Sequence, residues 1–185
     1  KERQQVAQQG FSIQQFTGAA LTYEHFATFY RCYQQTYAKY AGHGGYLKPD
    51  FFSQLQALAD NTLLVIAYQQ GTAVASALYF YDSFGLYGRY WGSLLGDAKA
   101  LHFECCYYQG IEFAIANNLP YFDPGVQGEH KIARGFTPTI TESWHYFEHP
   151  DFREAIADYI QQENTAVLSY QQQAKQNLPF KQEPT

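Results

Sequence analysis

Three strand-like segments follow one another closely at residues 62–68, 72–82 and 84–91. A Gln-Gln-Gly turn, typical of a hairpin, separates the first two, and the third begins almost at once. Strands joined by such short connections pair as antiparallel neighbours. The chain is therefore predicted to fold around an antiparallel sheet, to which the other elements must be fitted.

The remaining elements follow from apolar spacing and from turn residues. A strand is predicted at residues 11–16 and helices at 22–40 and 50–59 before the hairpin. After it we expect, in order, a helix at 101–117, a short strand at 121–124, a helical turn at 129–134, a strand at 139–147 and a helix from Pro150 to about Ala174. The predicted class is α/β (α+β), with a mixed, mainly antiparallel sheet flanked by helices.

The spacing also predicts which residues face the core. The following residues of the helix at 101–117 are expected to share an inward face: Phe103, Cys106, Tyr107, Gly110, Ile111 and Ala114. The following residues of the last helix are expected to face in: Phe152, Ile156, Tyr159, Ile160 and Val167. His145 is assigned to the core, and the polar ends, residues 1–9 and 176–185, are expected to be frayed or docked elsewhere.

Charge and length exclude several classes of protein. The 185-residue chain has a net charge of -5 and no basic stripe, so DNA binding is not expected. No apolar run reaches the length of a membrane-spanning helix and the start is not a signal peptide, which predicts a cytoplasmic protein. The chain contains no Met, so we interpret it as a processed chain or a fragment of a longer protein.

No metal site is predicted, although His102, Glu104 and the adjacent Cys105 and Cys106 lie in one segment. Metal ligands on a helix favour spacings of three or four residues, whereas His102 and Glu104 are two apart. The cysteines are interpreted as reduced and structural. His102, near the start of its helix, remains a candidate substrate-binding residue.

The glycine-bounded segment from Gly125 to Gly135 carries the strongest catalytic candidates. Glu129 is the first choice for a general base that deprotonates an amine, followed by His130 and Asp123. Asp123 precedes a proline and could instead cap a turn. Substrate-binding roles are predicted here for three further residues: Gln127, Lys131 and Arg134. Lys131 and Arg134, three residues apart, could grip a phosphate or carboxylate, or form only a solvated basic turn.

A second candidate group lies on the strand at 84–91. Alternation predicts that Tyr87, Arg89 and Trp91 share one face of the sheet. An arginine between two aromatic rings could bind an anionic acceptor, or the three could form an aromatic surface ladder with a charged rim.

Three segments carry a resemblance to a known family: Leu-Tyr-Gly-Arg-Tyr-Trp-Gly at 86–92, Leu-His-Phe-Glu-Cys-Cys-Tyr-Tyr-Gln at 101–109, and the run from Phe122 to Phe136. They resemble predicted N-acyltransferases of the FemAB-like (peptidoglycan biosynthesis/recognition) family in the GNAT superfamily. The resemblance implies a GNAT-like fold, and Lys131 matches a lysine of the cleft segment in those relatives. It also implies that residues 1–185 are one GNAT-like domain, the carboxy-terminal half of a two-domain protein.

The resemblance further implies transfer of an acyl or aminoacyl group to an amine, with a muropeptide-like acceptor. Acetyl-CoA enzymes of the superfamily carry a Gly-rich pyrophosphate loop before the central helix, where this chain has Asp97, a residue that repels phosphate. The expected donor is therefore acyl-CoA or aminoacyl-tRNA, with no permanently bound cofactor. Other expected partners are the amino-terminal half, tRNA and a second copy of the chain in a homodimer.

Two further hypotheses remain beside acyl transfer. The chain could be a non-catalytic module that binds a peptidoglycan precursor, or it could only support the other half of its protein. If the chain only supports the other half of its protein, we expect an exposed apolar face and self-association of the chain.

Overall fold

A computed structural model describes residues 1–96, 98–126 and 128–180. They fall into two compact units, one spanning Lys1–Gly125 and the other beginning at Val126. The prediction of one domain that is half of a longer protein stays a prediction.

The first unit contains a five-stranded sheet in the order β1-β2-β3-β4-β5. The strands are β1 (Phe11–Thr17), β2 (Thr62–Gln69), β3 (Thr72–Tyr81), β4 (Gly85–Ser93) and β5 (Tyr121–Asp123). The first four pair antiparallel with their neighbours, whereas β5 pairs parallel with β4. The mixed, mainly antiparallel sheet predicted from the short connections is confirmed.

Helices cover both faces of this sheet. They are α1 (Glu2–Gln8), α2 (Tyr23–Ala41), α3 (Pro49–Gln54) and a central helix composed of α4 (Leu101–Phe103), a π-helical turn (Glu104–Tyr108) and α5 (Gln109–Ala116). A 3-10 segment, Leu55–Asn61, replaces the end of the helix predicted at 50–59. Alternating residues of β2 contribute to two separate cores. Leu63 and Val65 pack in the cluster that includes Leu101. Leu64 and Ile66 pack in the cluster that includes Phe29.

The amino-terminal segment, expected to be frayed or docked elsewhere, forms α1 and docks through Val6, which is buried in the core at 3% exposure. A charge network ties α1 to the central helix. Arg3 Nε lies 3.1 Å from a carboxylate oxygen of the buried Glu104, and Tyr108 Oη donates to Glu2 at 2.6 Å. The polar composition of residues 1–9 therefore reflects contacts with polar groups of the central helix.

The predicted inward face of the central helix is partly wrong. Cys105 is completely buried while Phe103, Cys106 and Ile111 are only half-buried. For the residues within and after it, the reason is the π-helical turn, in which the Gln109 N–H bonds to the Glu104 carbonyl five residues earlier. The wider turn shifts every later residue around the axis relative to an α-helix.

The second unit contains a 3-10 helix, Glu129–Arg134, and the long helix α6, Pro150–Lys175. The predicted strand at 139–147 is wrong, because no strand is present there and His145 is exposed rather than in the core. The predicted inward face of α6 is also wrong: Ala174 is its one fully buried residue, and the following residues are exposed: Phe152, Tyr159, Ile160 and Val167. In the described part of the chain, no helix is long and apolar enough to cross a membrane.

Candidate functional site

The parallel pairing of β4 with β5 is short. It joins Gly85 to Tyr121, Leu86 to Phe122 and Tyr87 to Asp123, and the register ends there, although β4 continues to Ser93. Beyond Tyr87, the edge of β4 that faced β5 has no ladder partner in the register that the structure describes. Backbone groups along this edge therefore have no strand partner in the described ladder.

Arg89 is the extra residue of a β-bulge in β4. Tyr79 of β3 lies opposite Gly88, and the preceding Leu78 lies opposite Tyr90, so Arg89 has no partner in the register. The bulge overturns the prediction that Tyr87, Arg89 and Trp91 share one face. Tyr87 lies opposite Phe80 and Trp91 opposite Ala77, and these two β3 residues pack in different cores.

The structure brings together Trp91 and His102, two of the predicted substrate-binding residues. Their ring centroids are 5.5 Å apart in an edge-to-face arrangement, and the ring of Tyr107 lies 5.5 Å from His102 on the π-helical turn. Trp91 and His102 are both half-buried. The half-buried indole packs against the core cluster that includes Leu101, and the imidazole of His102 adds a polar group to this pair of rings.

Tyr87 and Asp123 also lie together, as the last pair of the β4–β5 ladder. Burial, reinforced by the negative charges of Asp82 and Asp123, raises the pKa of Tyr87. Asp123 Oδ1 accepts a 2.8 Å hydrogen bond from the Gly125 N–H, the turn-capping contact of an aspartate before a proline. Its carboxylate is thus partly used in holding the turn.

Arg89 is exposed, and its guanidinium carbon lies 4.5 Å from the ring centroid of Tyr90, within range of a cation–π interaction. Among the residues that the structure describes, its N–H groups have no hydrogen-bond partner and can donate to another group. The bulge therefore presents a positive charge at the surface of β4.

The remaining predicted site residues occupy the 3-10 helix Glu129–Arg134. The Glu129 carboxylate accepts a 2.6 Å hydrogen bond from Tyr170 Oη of α6, and this contact raises the pKa of the Tyr170 hydroxyl. Partial burial, followed by the positive charges of Arg134 and Lys131, lowers the pKa of His130. A neutral imidazole is the form that can accept a proton.

The two basic residues of this helix differ in exposure. Lys131 is 9% exposed, whereas Arg134 is half-buried and donates from Nη1 to the His130 carbonyl at 2.5 Å. Gln127, also predicted to bind substrate, lies outside the described residues. Within those residues, no group of His, Cys, Asp and Glu side chains is arranged to hold a metal ion.

Five aromatic residues near the bulge did not figure among the sequence candidates. Tyr33, Tyr37 and Tyr90 are in ring contact, and Tyr37 continues to the surface through His43 and Tyr46. Tyr33 and Tyr37 are four residues apart on α2, a spacing that is equally typical of residues in a core. Tyr33 is completely buried, so it links Tyr37 to Tyr90 through the core, and the loop after α2 brings His43 and Tyr46 against Tyr37.

Comparison with known proteins identifies the family. The model of the FemAB-like family, described as peptidoglycan biosynthesis/recognition, matches residues 1–182. The chain belongs to the FemAB-like family. The family predicted from three sequence segments is thus confirmed over nearly the whole chain. No curated protein sequence matches the chain significantly.

Solved acetyltransferase structures share the fold of this FemAB-like chain. A possible acetyltransferase from Clostridium difficile 630 superposes with a TM-score of 0.53 at 11% identity, covering 75% of this chain and 99% of that one. A predicted acetyltransferase from Clostridium acetobutylicum, solved with acetyl-CoA, gives a TM-score of 0.53 at 10% identity, with 76% and 99% covered. An aminoglycoside acetyltransferase from an uncultured soil metagenomic sample, in complex with sisomicin, gives 0.50 at 12% identity, with 76% and 95% covered. The GNAT-like fold is confirmed.

Proposed function

We propose that this FemAB-like protein is an N-acyltransferase that moves an acyl or aminoacyl group onto an amine of a peptidoglycan-related acceptor. The observation that carries the proposal is the early end of the β4–β5 ladder at Tyr87 and Asp123, next to the bulge at Arg89. The resemblance to the GNAT superfamily implies that the acyl donor lies along such a splayed strand. A free backbone N–H at this edge can donate to the oxyanion that forms when an amine attacks an acyl carbonyl.

The donor is proposed to lie along residues 87–91, with its ester or thioester carbonyl toward the unpaired edge of β4. Trp91 and His102 supply a wall that limits access of water, and Arg89 supplies a charge for an anionic group of the acceptor. Excluding water favours transfer to the amine over hydrolysis of the donor.

Residues of the 3-10 helix are proposed to handle the proton. An ammonium must lose a proton before its nitrogen can attack, and Glu129 or His130 would accept it directly or through water. The lowered pKa of His130 supports it as an acceptor at neutral pH, and the Tyr170 hydrogen bond orients the Glu129 carboxylate. Asp123 is the third candidate, and Lys131 and Arg134 are proposed to bind an anionic group of the substrate.

The donor class is open between acyl-CoA and aminoacyl-tRNA. The fold neighbour from Clostridium acetobutylicum was solved with acetyl-CoA, which supports acyl-CoA. In this chain, however, the Lys99 N–H donates to Gln9 Oε1 at 3.2 Å and the Lys99 carbonyl accepts from Gln9 Nε2 at 2.9 Å. Gln9 therefore partly occupies the backbone before the central helix, where the family resemblance implies a pyrophosphate loop, and this supports a different donor contact.

The test is transfer by the 185-residue chain from labelled acyl-CoA or aminoacyl-tRNA to a muropeptide amine. We expect Glu129→Gln or His130→Asn to reduce transfer by about a hundredfold, the scale of a lost general base. Glu142→Gln, also an exposed glutamate of the second unit, is the matched control and should keep full activity. Absence of transfer from both donors, together with binding of the muropeptide, would instead identify a non-catalytic binding module.

A further inference from the structure

Residues 139–147, which we call the free segment, have the alternation of a strand but no strand partner. In the part of the chain that the structure describes, none of their backbone N–H groups or carbonyls bonds to another backbone group. Trp144 and Tyr146 in this segment are 92% and 81% exposed. A run of unpaired backbone beside exposed aromatic side chains is a template for pairing with another strand.

The free segment is held at both ends by α6. Gln171 Nε2 donates to the Pro138 carbonyl at 3.0 Å, and the centroids of the Phe147 and Phe152 rings are 5.3 Å apart. From Phe152 to Gln171 the helix rises about 28 Å. The chain from Pro138 to Phe147 spans about 30 Å when it is fully extended, so it has little slack between these two contacts. The free segment is therefore extended along the helix.

Two contacts show that alternate side chains of the free segment share a face. Ser143 Oγ lies 2.9 Å from His145 Nε2, and the rings of His145 and Phe147 stack with their centroids 6.4 Å apart. Each contact joins residues two positions apart, which is the period of a β-strand. Trp144 and Tyr146 therefore lie on the opposite face. Because the strand geometry exists before a partner binds, the entropic cost of pairing is lowered.

The free segment is complementary to a second copy of itself. In an antiparallel pair centred on Ser143, Ile140 of each copy lies opposite Tyr146 of the other copy. A β-branched residue opposite an aromatic ring is a favourable cross-strand pair. Thr141 lies opposite His145 in the same pairing, and the two Ser143 residues lie opposite each other.

The position of Glu142 selects this register. In the pair centred on Ser143, Glu142 lies opposite Trp144, so the two carboxylates are offset along the strands. A pair centred one residue earlier would place Glu142 opposite its own copy, and like charges directly opposite each other destabilise a sheet. A pair centred on Trp144 would leave Ile140 opposite a residue outside the free segment. The register about Ser143 thus pairs the whole segment and keeps the carboxylates apart.

From these observations we propose that the chain forms a homodimer in which the free segments of two copies pair antiparallel about Ser143. The Ile140, Trp144 and Tyr146 side chains of both copies gather on one face of the ribbon, where they bury one another. An isolated two-stranded ribbon is only marginally stable, but here each strand is attached to its own α6. The dimer does not depend on acyl transfer and uses no residue assigned to that reaction.

The first test measures self-association of the 185-residue chain by sedimentation equilibrium over a range of concentrations. Thr141→Pro and Glu142→Pro are made separately, because neighbouring residues of an antiparallel ladder alternate between hydrogen-bonded and non-hydrogen-bonded positions. We expect at least one of them to weaken self-association by about tenfold or more, since each copy loses a ladder N–H. Thr141→Val and Glu142→Gln keep both N–H groups and should associate as the parent does.

The proline variants are expected to remain folded. Neither the Thr141 N–H nor the Glu142 N–H is bonded within one copy, so a proline there removes no hydrogen bond of the monomer. An extended backbone also suits the residue that precedes a proline. Thermal unfolding of the dilute variants should therefore stay close to that of the parent, which separates a loss of pairing from a loss of folding.

A second test uses cysteine cross-linking to check the register. Ser143→Cys places two thiols opposite each other at the centre of the pair, within reach of a disulfide, whereas Thr139→Cys places them at opposite ends of the ribbon. With oxidised glutathione we expect a covalent dimer of Ser143→Cys and none of Thr139→Cys. The parent chain controls for its native thiols, of which Cys32 and Cys105 are completely buried.

Three results would overturn the proposal. A chain that stays monomeric at high concentration would mean that the free segment pairs with a strand of a different protein or with none. Self-association that neither proline weakens would place the contact between copies elsewhere, for example on the exposed apolar residues of α6. Equal cross-linking of Ser143→Cys and Thr139→Cys would contradict the pairing about Ser143.

Discussion

The buried hydroxyl of Tyr79 on β3 donates a hydrogen bond to the backbone carbonyl of Cys105 in the central helix. An α-helix would bond that carbonyl to the Gln109 N–H, but here the Gln109 N–H bonds to the Glu104 carbonyl instead. The Tyr79 hydroxyl therefore replaces the helical hydrogen bond that the Cys105 carbonyl loses in the π-helical turn. The turn and the tyrosine stabilise each other, and Tyr107, whose ring contacts His102, lies within the same turn.

We predict that Tyr79→Phe destabilises the fold by about 1–3 kcal/mol, the cost of leaving a buried acceptor without a donor. The ring volume is kept, so the loss isolates the hydroxyl. Urea unfolding measures the change. Tyr81→Phe, on the same strand with its ring against Phe113, is the control and should change the free energy of unfolding by less than about 0.5 kcal/mol. Equal losses in both variants would mean that the carbonyl contact contributes nothing specific.

Strand positions and the mainly antiparallel sheet could be predicted because they depend on local alternation and short connections. The bulge at Arg89 and the π-helical turn could not. Each adds one residue to a regular element, and the bonds that stabilise the addition come from distant residues such as Tyr79. Face assignments made with an ideal period were therefore partly wrong in both elements: Tyr87 and Trp91 lie on different faces of the sheet, and Cys105 is buried where Cys106 was expected.

At residues 139–147 the error is different, because a regular strand was predicted where none forms. Its alternation satisfies the rule for a half-buried strand, but the rule does not specify a partner strand. The structure gives it no ladder, and Trp144 is 92% exposed. For the candidate site, the family resemblance led to β4 and the 3-10 helix, whereas the ring contacts of Tyr46 depend on the position of the loop after α2.

Gly92 is predicted to tolerate no side chain, because the end of β4 passes directly over the backbone of α2. A methyl group there would collide with the carbonyl of Cys32 and the N–H of Tyr33. We expect Gly92→Ala to cost about 1–3 kcal/mol through overpacking, measured by thermal unfolding. Gly96→Ala, in the following loop with open space around the glycine, should be near neutral. A neutral Gly92→Ala would show that β4 and α2 are not in this close contact.

The attachment of α1 is predicted to depend more on Glu104 than on Glu112, although Arg3 contacts both. The Glu104 side chain is 5% exposed, whereas that of Glu112 is 49% exposed and more strongly screened by solvent. A double-mutant cycle of Arg3→Gln with Glu104→Gln should give a coupling free energy above about 1 kcal/mol, and the same cycle with Glu112→Gln less than about 0.5 kcal/mol. The reverse order would assign the anchoring to the surface pair.

The His25 side chain at the start of α2 is predicted to make stability fall as the solution becomes acidic. His25 Nδ1 accepts a 3.2 Å hydrogen bond from the Thr22 N–H, and its ring lies 4.0 Å from Phe16. Burial lowers the pKa of His25 below its ordinary value of 6.5. Protonation would turn the accepting nitrogen into a donor, which breaks the capping contact.

Because the folded pKa is the lower one, the unfolded chain binds the proton first as pH falls through 6.5. The contribution of His25 to stability is therefore complete above that pH and is lost below it. His25→Gln keeps an acceptor for the Thr22 N–H without a titrating group, so its free energy of unfolding should fall less between about pH 7 and about pH 5. His130, whose pKa is also lowered, acts in the same direction, and a parallel measurement on His130→Asn separates its part. An unchanged slope in His25→Gln would mean that the cap does not respond to pH.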